Sequence, residues 1–228
     1  MEPLLLRRGF TLVELMVVLA IIATISAVVL TSQSSFNRTL VLANTAYDIA
    51  LTFRSAETFG LSSRVRTGSG VVSPNAGYGL HFGAGSSGAF TLFADSFPTV
   101  GGSPLCHTPP VNDPAGPDAK PGNCVYNSDR NERVFDYSLG NNIRIDDFCA
   151  YAGTWSCVKA HAGASAGLSS LDIVFVRPDP VPFISANGSY AAGITAACLS
   201  VASPQGDHRY VSISASGQII ANAARCPS

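Results

Sequence analysis

The chain has 228 residues and a formal net charge of −1, and 13% of its residues are charged, about half the share usual in soluble domains. A charged disordered chain is excluded because hydrophobic residues make up 46% of the sequence. General electrostatic binding of nucleic acid is disfavoured because basic residues are not in excess, and a polytopic membrane protein is excluded because only one stretch is long and apolar enough to span a bilayer.

That stretch lies near the N-terminus. Arg7 and Arg8 precede an apolar run from Phe10 to Leu30, and residues 15–30 contain no charge, no Pro and no Gly. As a helix, residues 10–30 extend about 31 Å, which matches the thickness of the hydrocarbon core. The paired arginines predict a cytoplasmic N-terminus, with the bulk of the chain on the other side of the membrane.

Glu14 is the one acidic residue within this run. A carboxylate in the middle of a membrane costs roughly 2.5–3.5 kcal/mol and by default indicates a function. The alternative is that Glu14 lies near the interface and reaches water. An ordinary secretory signal has a shorter apolar core and a small-x-small cleavage site, and a twin-arginine signal fits Arg7 and Arg8, but Glu14 argues against both.

The residues around Glu14 carry a specific resemblance. The sequence Gly9-Phe10-Thr11-Leu12-Val13-Glu14 follows a short basic leader and precedes an uncharged helix. It resembles the class III N-terminal motif of type IV prepilins and type II secretion pseudopilins. The resemblance implies that a prepilin peptidase cleaves after Gly9 and N-methylates Phe10. It also implies that Glu14 acts in assembly by pairing with the terminal amine of Phe10, in its own or a neighbouring subunit, and so helps to set register.

The helix is expected to continue well beyond the apolar run. No Pro occurs from residue 4 to 73 and no Gly from 10 to 59, so we predict a helix from about 11 to about 59 with Gly60 as a C-cap of positive φ. Two apolar lines appear at helical spacing, one at Phe36, Leu40, Ala43, Tyr47, Ala50 and Leu51, the other at Ile49, Phe53 and Ala56. The alternative is a membrane span and a separate core helix, broken near residues 31–35.

Short apolar runs separated by turn residues follow Gly60 and predict strands. Ser216-Gly217 is a hairpin signal between the last two of them. A Pro-rich excursion at 97–124 and an Ala-, Gly- and Ser-rich insertion at 151–170 interrupt the pattern. The prediction is an α+β fold in which a long N-terminal helix packs on antiparallel sheets, with strands at 78–82, 89–94, 133–138, 142–148, 171–177, 196–201, 209–214 and 218–221.

Further residues are similar to those of H-type minor pseudopilins and related minor pilins. They are Arg54-Ser55-Ala56-Glu57 leading to Gly60, the segment 78–82, and the segment 213–219. The resemblance implies three parts of the chain. Residues 1–9 are a leader peptide, residues 10–60 form the helix with a membrane-spanning part at 10–30, and residues 61–228 form a β-rich head.

Six cysteines form an even set in a domain that is expected to reach an oxidising compartment, which favours disulfides. Six cysteines allow 15 pairings, and their order along the chain suggests three local ones. These are Cys106–Cys124, Cys149–Cys157 and Cys198–Cys226. A zinc site from Cys149, Cys157 and His161 was the alternative, but its spacing is not that of a compact zinc knuckle.

Other motifs are explained better as loops or surface acids than as catalytic or ligand-binding sites. The segment 83–88 matches a dinucleotide fingerprint, but a strand rather than a helix is predicted after it. The segment 163–167 matches G-x-S-x-G without an apolar strand before it. The acids considered for calcium lack the spacing of a binding loop, so no catalytic residue, metal or cofactor is predicted; these acids are Asp113, Asp118, Asp129, Asp146 and Asp147.

The predicted function is therefore structural rather than enzymatic. The resemblance implies a subunit of a type IV pilus or pseudopilus, most like a minor one, that is anchored in the inner membrane with its head outside the cytoplasm and then moved into a periplasmic or extracellular filament. The implied partners are prepilin peptidase, an inner-membrane assembly platform and other pilin or pseudopilin subunits. The alternatives are a major pilin and a tip module for adhesion or DNA uptake. Without the leader the chain has 12 basic and 14 acidic residues, which argues against binding DNA.

Overall fold

The computed structural model describes residues 9–62, 66–68, 71–73, 76–96, 122–177, 179–191, 193–221 and 226, and at 31–36, 66–68, 71–73 and 179–180 it describes the main chain alone. The chain divides into two compact units, Met1–Val41 and Leu42–Ser228. Most of the Pro-rich excursion, residues 97–121, lies outside the described residues.

Helix α1 extends over Leu12–Leu61 and is 50 residues long. It continues without interruption through residues 31–35, so the alternative of two separate helices is wrong. The sequence contains no Pro or Gly there, and a polar run alone does not stop a helix because it leaves the backbone hydrogen bonds intact. The predicted long helix is confirmed, and it ends two residues later than expected.

The face of α1 that packs in the second unit is the second of the two predicted apolar lines. Ile49, Phe53 and Ala56 are fully buried, and Leu42 and Ala46 extend this line towards the N-terminus. In the first line Leu40, Tyr47 and Leu51 are exposed. Both lines have helical spacing, so periodicity alone could not identify the one that the sheet covers.

Gly60 has a different role from the predicted C-cap. It lies inside the helix, its φ is not in the left-handed region, and a Cβ atom at this position would be 2.2 Å from the carbonyl oxygen of Phe175. Glycine is therefore required because the helix backbone approaches a strand backbone.

The first large sheet has six antiparallel strands in the order β11-β10-β9-β3-β4-β5. Helix α1 covers one face, where Phe53 contacts Phe82 and Phe59 contacts Tyr78 with ring centroids 5.9 and 5.8 Å apart. The segment 122–127 lies against the other face, where Cys124 packs with Phe93. The strands are β3 (Gly77–Gly83), β4 (Ala89–Asp95), β5 (Arg133–Ser138), β9 (Ser170–Val176), β10 (Asp179–Ala186) and β11 (Ser189–Tyr190).

The second large sheet has the order β14-β13-β12-β6-β7-β8, with only the β7–β8 pair parallel. A two-stranded ribbon of β1 (Arg66–Gly68) and β2 (Val71–Ser73) is separate from both sheets. The strands of the second sheet are β6 (Arg144–Tyr151), β7 (Trp155–Cys157), β8 (Ala164–Ala166), β12 (Ala196–Ala202), β13 (His208–Ser214) and β14 (Ile219–Ala221).

All eight predicted strands are present, and β5 has the predicted bounds. The hairpin turn at Ser216-Gly217 is also present, with Gly217 at a φ of 82° and Ser214 N–H donating to Gln218 O. Six short or Pro-containing strands were missed. Among them, β10 contains Pro180 and Pro182, which lack the N–H that a strand ladder uses and so weaken a strand signal. The α+β, pilin-like fold class is confirmed.

Candidate functional site

The residues at the predicted cleavage position, directly before α1, are exposed. Gly9 and Phe10 precede the helix and are exposed. A Cβ atom at Gly9 would meet nothing within 4 Å, and φ at Gly9 is not in the left-handed region. A larger side chain would fit at this position, and the backbone conformation is one that any residue can adopt. The fold therefore gives no reason for glycine here.

Thr11 caps the helix. Its Oγ1 accepts a hydrogen bond from Glu14 N–H at 3.3 Å, and its carbonyl oxygen accepts one from Leu15 N–H at 3.2 Å. Thr11-x-x-Glu14 is therefore the start of a capping box, a signal that the sequence analysis missed. The Glu14 carboxylate is exposed in the first turn, where the positive end of the helix dipole favours an anion.

The apolar part of α1 has no packing partner within the described residues. The segment Leu12–Leu30 is long and apolar enough to cross a membrane, and none of it is buried. Its exposed side chains include Leu12, Val13, Met16 and Val28. Leaving this much apolar surface in water is unfavourable, since each buried aliphatic side chain contributes about 1.5–3 kcal/mol. The segment therefore needs a membrane or other apolar helices around it.

Two of the three suggested cysteine pairs are disulfides in the structure. Cys149 and Cys157 are directly opposite each other on β6 and β7, with Cα atoms 4.0 Å apart, and Cys198 on β12 joins Cys226 near the C-terminus. Cys124 is buried, but Cys106 lies outside the described residues, so the pair Cys106–Cys124 stays a prediction.

The two disulfides border one pocket beside the second sheet. Its volume is about 330 Å³, and its lining includes Asp146, Asp147, His161 and His208. Neighbouring residues of a strand normally point to opposite faces, but a β-bulge at Asp146 shifts the register from Ser200↔Asp147 to Val201↔Ile145. The bulge lets both acids face the pocket.

Asp147 holds the loop that follows β7. Its Oδ1 accepts hydrogen bonds from Val158 N–H at 3.1 Å and Lys159 N–H at 3.3 Å, and its Oδ2 pairs with His161 Nε2. Asp146 interacts with Lys159 and Arg144. Burial opposes ionisation of Asp146, but the hydrogen bonds and charges of Lys159 and Arg144 outweigh it and lower the pKa of this carboxyl.

Three buried carboxylates fix the segment 122–127, and they belong to Asp95 on β4, Asp172 on β9 and Glu132 directly before β5. The Asp95 oxygens accept hydrogen bonds from Asn123 N–H at 3.0 Å and Cys124 N–H at 2.7 Å. Burial raises the pKa of Asp95 well above its ordinary value, and the negative charges of Glu132 and Asp172 raise it further against these hydrogen bonds.

Glu132 and Asp172 act in the same way. Glu132 accepts hydrogen bonds from Ser96 N–H and Asn127 N–H, and Asp172 Oδ1 pairs with His81 Nδ1 at 2.7 Å and accepts Tyr126 N–H. Burial raises the pKa of Asp172 despite its hydrogen bond to His81. The sequence alone does not indicate this cluster, because its members are far apart in the chain and follow no motif.

Those remaining sequence candidates that lie within the described residues do not form an active-site arrangement. The Gly-rich segment 83–88 is the β3–β4 hairpin loop, as predicted, and β8 lies within the segment 163–167. Asp129 is exposed in a single 3₁₀ turn, Ser128–Arg130. Asp113 and Asp118 lie outside the described residues.

A scan against protein families matches the model described as the prokaryotic N-terminal methylation motif, at residues 5–30. No curated protein matches the chain, and no solved structure does. The matched segment contains the leader boundary and Glu14 but not the residues that resemble H-type minor pseudopilins, so that subtype stays a prediction. The match and the apolar helix behind it show that the chain carries a class III prepilin signal, the N-terminal signal of pilin-type proteins.

Proposed function

We propose that the chain is a structural subunit, most like a minor one, of a type IV pilus or type II secretion pseudopilus. Prepilin peptidase removes residues 1–9 and N-methylates Phe10. Residues 10–60 are the assembly helix, anchored in the inner membrane through 10–30, and residues 61–228 are the head on the far side. The assembly platform then moves the subunit into a filament made with other pilins.

The observation that carries this proposal is the exposed apolar helix directly after a methylation motif. Residues 12–30 have no covering within the described part of the chain, and the motif ends inside the same segment. A membrane satisfies this surface before assembly, and a bundle of like helices satisfies it afterwards. A cleaved secretory signal would not leave this helix on the mature protein.

Gly9 and Phe10 are the proposed processing site. The open space around Gly9 supports a role for this glycine in recognition by the peptidase rather than in folding. A Gly9→Val variant, expressed in the native host, should accumulate as a precursor nine residues longer than the mature chain and should be absent from sheared filaments. Gly85→Val is the matched control, because Gly85 is also an exposed glycine with open space. Normal incorporation of Gly9→Val would overturn the proposal.

Glu14 is the proposed assembly residue. In the dry core of a filament its carboxylate needs a positive partner, and the terminal amine of processed Phe10 supplies one. A Glu14→Gln variant should be cleaved normally, because the scissile bond is unchanged, but should be depleted from filaments. Glu57→Gln is the control, since Glu57 is on the same helix and pairs with Arg54 at 2.8 Å. Equal incorporation of the two variants would contradict the assigned role.

Mass spectrometry of sheared filaments distinguishes a minor subunit from a major one. A minor subunit should be present far below the main component, and a filament made mostly of this chain would establish it as a major pilin. Loss of surface adhesion or DNA uptake with filaments still present would instead favour the tip module.

A further inference from the structure

The strongest unassigned feature is a cluster of four side chains, which consists of the Cys149–Cys157 disulfide and the neighbouring Asp147 and His161. The ligand atoms of Asp147, Cys149 and Cys157 all lie within 4.8 Å of one another. His161 Nε2 is in contact with Asp147 Oδ2, and Cys149 Sγ lies 4.0 Å from the same oxygen. Two sulfurs, one carboxylate and one imidazole are a common donor set for zinc.

We propose that Cys149 and Cys157, when reduced, bind Zn²⁺ together with Asp147 and His161. The same four residues then hold either a disulfide or a thiolate-binding divalent cation. The two states exclude each other, because a sulfur in a disulfide has no thiolate to donate.

The geometry fits a tetrahedral zinc ion. Bond lengths of about 2.3 Å to sulfur and about 2.0–2.2 Å to nitrogen and oxygen place neighbouring ligand atoms about 3.3–3.8 Å apart. The ligand atoms of Asp147, Cys149 and Cys157 lie within 4.8 Å of one another, and Cys149 Sγ is 4.0 Å from Asp147 Oδ2. Breaking the sulfur–sulfur bond frees the two sulfurs to move apart, and side-chain rotation of His161 must separate its Nε2 from Asp147 Oδ2.

The two backbone hydrogen bonds of Asp147 fall on one of its oxygens, and among the described residues the other oxygen contacts only proposed metal ligands. Val158 N–H and Lys159 N–H bind Oδ1, while Oδ2 faces Cys149 and His161. Fixing one oxygen by backbone donors orients the other, which is the usual role of groups that support a metal ligand.

The pocket supplies an entry path. Asp147, Cys149 and His161 all line the cavity of about 330 Å³, so an ion can reach the cluster although Cys149 and Cys157 are themselves buried. A metal site needs such a path in addition to its ligands.

The chemistry balances with a small dithiol as the reductant. The dithiol gives two electrons and two protons, the Cys149–Cys157 bond breaks into two thiols, and the reductant forms its own disulfide. Zn²⁺ then binds both sulfurs as thiolates and releases two protons.

Co²⁺, a spectroscopic substitute for Zn²⁺, tests the site in the detergent-solubilised full chain. After reduction and removal of the reductant, one Co²⁺ per chain should give thiolate charge-transfer bands and tetrahedral d–d bands. The oxidised chain should give neither. Absence of these bands from the reduced chain, or the same bands from a reduced C149S/C157S variant, overturns the proposal.

Two histidine variants test the ligand set. His161→Ala should weaken Co²⁺ binding by at least about 10- to 100-fold, because the loss of a direct ligand costs no less than the loss of an outer-shell partner. His208→Ala should leave it unchanged, because His208 lines the same pocket but hydrogen-bonds Ser200 instead. Equal effects of the two substitutions would overturn the assignment of His161.

Alkylation of the wild-type chain provides a measurement without substitutions. Zn²⁺ should slow the alkylation of Cys149 and Cys157 in the reduced chain by at least about 10-fold, because a metal-bound thiolate is a poorer nucleophile. Cys198 and Cys226 should react at the same rate with and without Zn²⁺. No protection, or equal protection of all four, overturns the proposal.

Discussion

Gly60 shows how one missing side chain positions the helix. A Cβ atom there would be 2.2 Å from Phe175 O, and neither backbone can yield without moving its whole element. Alanine has the better helix propensity, by about 1 kcal/mol, but the clash outweighs this gain. Glycine within a helix therefore marks a contact with a strand rather than a weak point.

We predict that Gly60→Ala lowers the free energy of unfolding by about 1–3 kcal/mol, the usual cost of overpacking. Gly85→Ala is the control, because its Cβ atom would meet nothing within 4 Å, and its effect should stay within about 0.5 kcal/mol. Denaturant unfolding followed by circular dichroism measures both. Equal stability of the two variants would show that the helix is not held this close to β9.

Asp95 gives the stability of the head a pH dependence of unusual sign. Its pKa is raised in the folded state, so the folded state binds a proton more strongly than the unfolded state does. The resulting contribution is fully present below the ordinary pKa of about 3.9 and is lost as pH rises through the raised value. Asp172 acts in the same direction, whereas the lowered pKa of Asp146 gives stability that is lost as pH falls.

We predict that Asp95→Asn reduces the gain in stability on going from pH 7 to pH 5. The amide cannot take up the proton that favours the folded wild-type chain. Denaturant unfolding at both pH values gives the difference for each protein, with Asp129→Asn as an exposed control. An identical pH dependence of Asp95→Asn and the wild type would refute the role of this carboxyl.

At the scale of elements, α1 separates its packing face from its exposed face within a few residues. Phe53 is fully buried against Phe82, while Leu51 is 63% exposed and borders a groove of about 410 Å³ beside the end of β5. Both are large apolar residues on the same two turns. Phe53 therefore contributes more to stability than Leu51 because the sheet covers it, and not because its side chain is apolar.

We predict that Phe53→Ala costs about 3–5 kcal/mol of unfolding free energy, the range for deleting a buried aromatic ring. Leu51→Ala should change it by less than about 0.5 kcal/mol, and it serves as the control for the loss of an apolar side chain on the same helix. Thermal and denaturant unfolding of the two variants decide this. A similar cost for both would show that the faces are assigned incorrectly.

The sequence predicts where the helix and the strands lie along the chain better than it predicts which of them contact each other. Helix α1 and eight of the strands follow from the absence of breakers and from apolar runs. The helix face, the reason for Gly60, the bulge at Asp146 and the carboxylates around residues 122–127 depend on contacts between distant segments. His81 and Asp172, for example, are 91 residues apart, and no local pattern indicates that they meet. The N-terminal motif could be recognised because all of its residues are adjacent.

At the scale of the whole molecule, two disulfides close loops of different length in the second sheet. The sequence separation is 8 for Cys149–Cys157 and 28 for Cys198–Cys226. In the chain-entropy model a longer loop restricts the unfolded chain more. The pair that ties Cys226 to β12 should therefore stabilise the head more.

We predict that the C198A/C226A variant loses about 3.5 kcal/mol and the C149A/C157A variant about 2.5 kcal/mol, from loop-closure entropy. Each variant is the control for the other, since both remove two buried or half-buried sulfurs from the same sheet. Denaturant midpoints under non-reducing conditions show which of the two variants loses more stability. A larger loss from C149A/C157A would mean that contacts around its pocket, rather than loop length, dominate.

The outer position of β5 also affects how copies of the chain behave when they are crowded together. Within the part of the chain that the structure describes, this strand is at the edge of the first sheet, and Val134 and Phe135 on it are 43% and 56% exposed. An apolar edge of this kind is a template for uncontrolled strand-to-strand aggregation. Arg133 and Asp136 flank the two apolar residues and form an ion pair at 3.0 Å, and charges at such an edge oppose strand addition by another chain. Crowded subunits thus have a built-in protection against joining through the wrong surface.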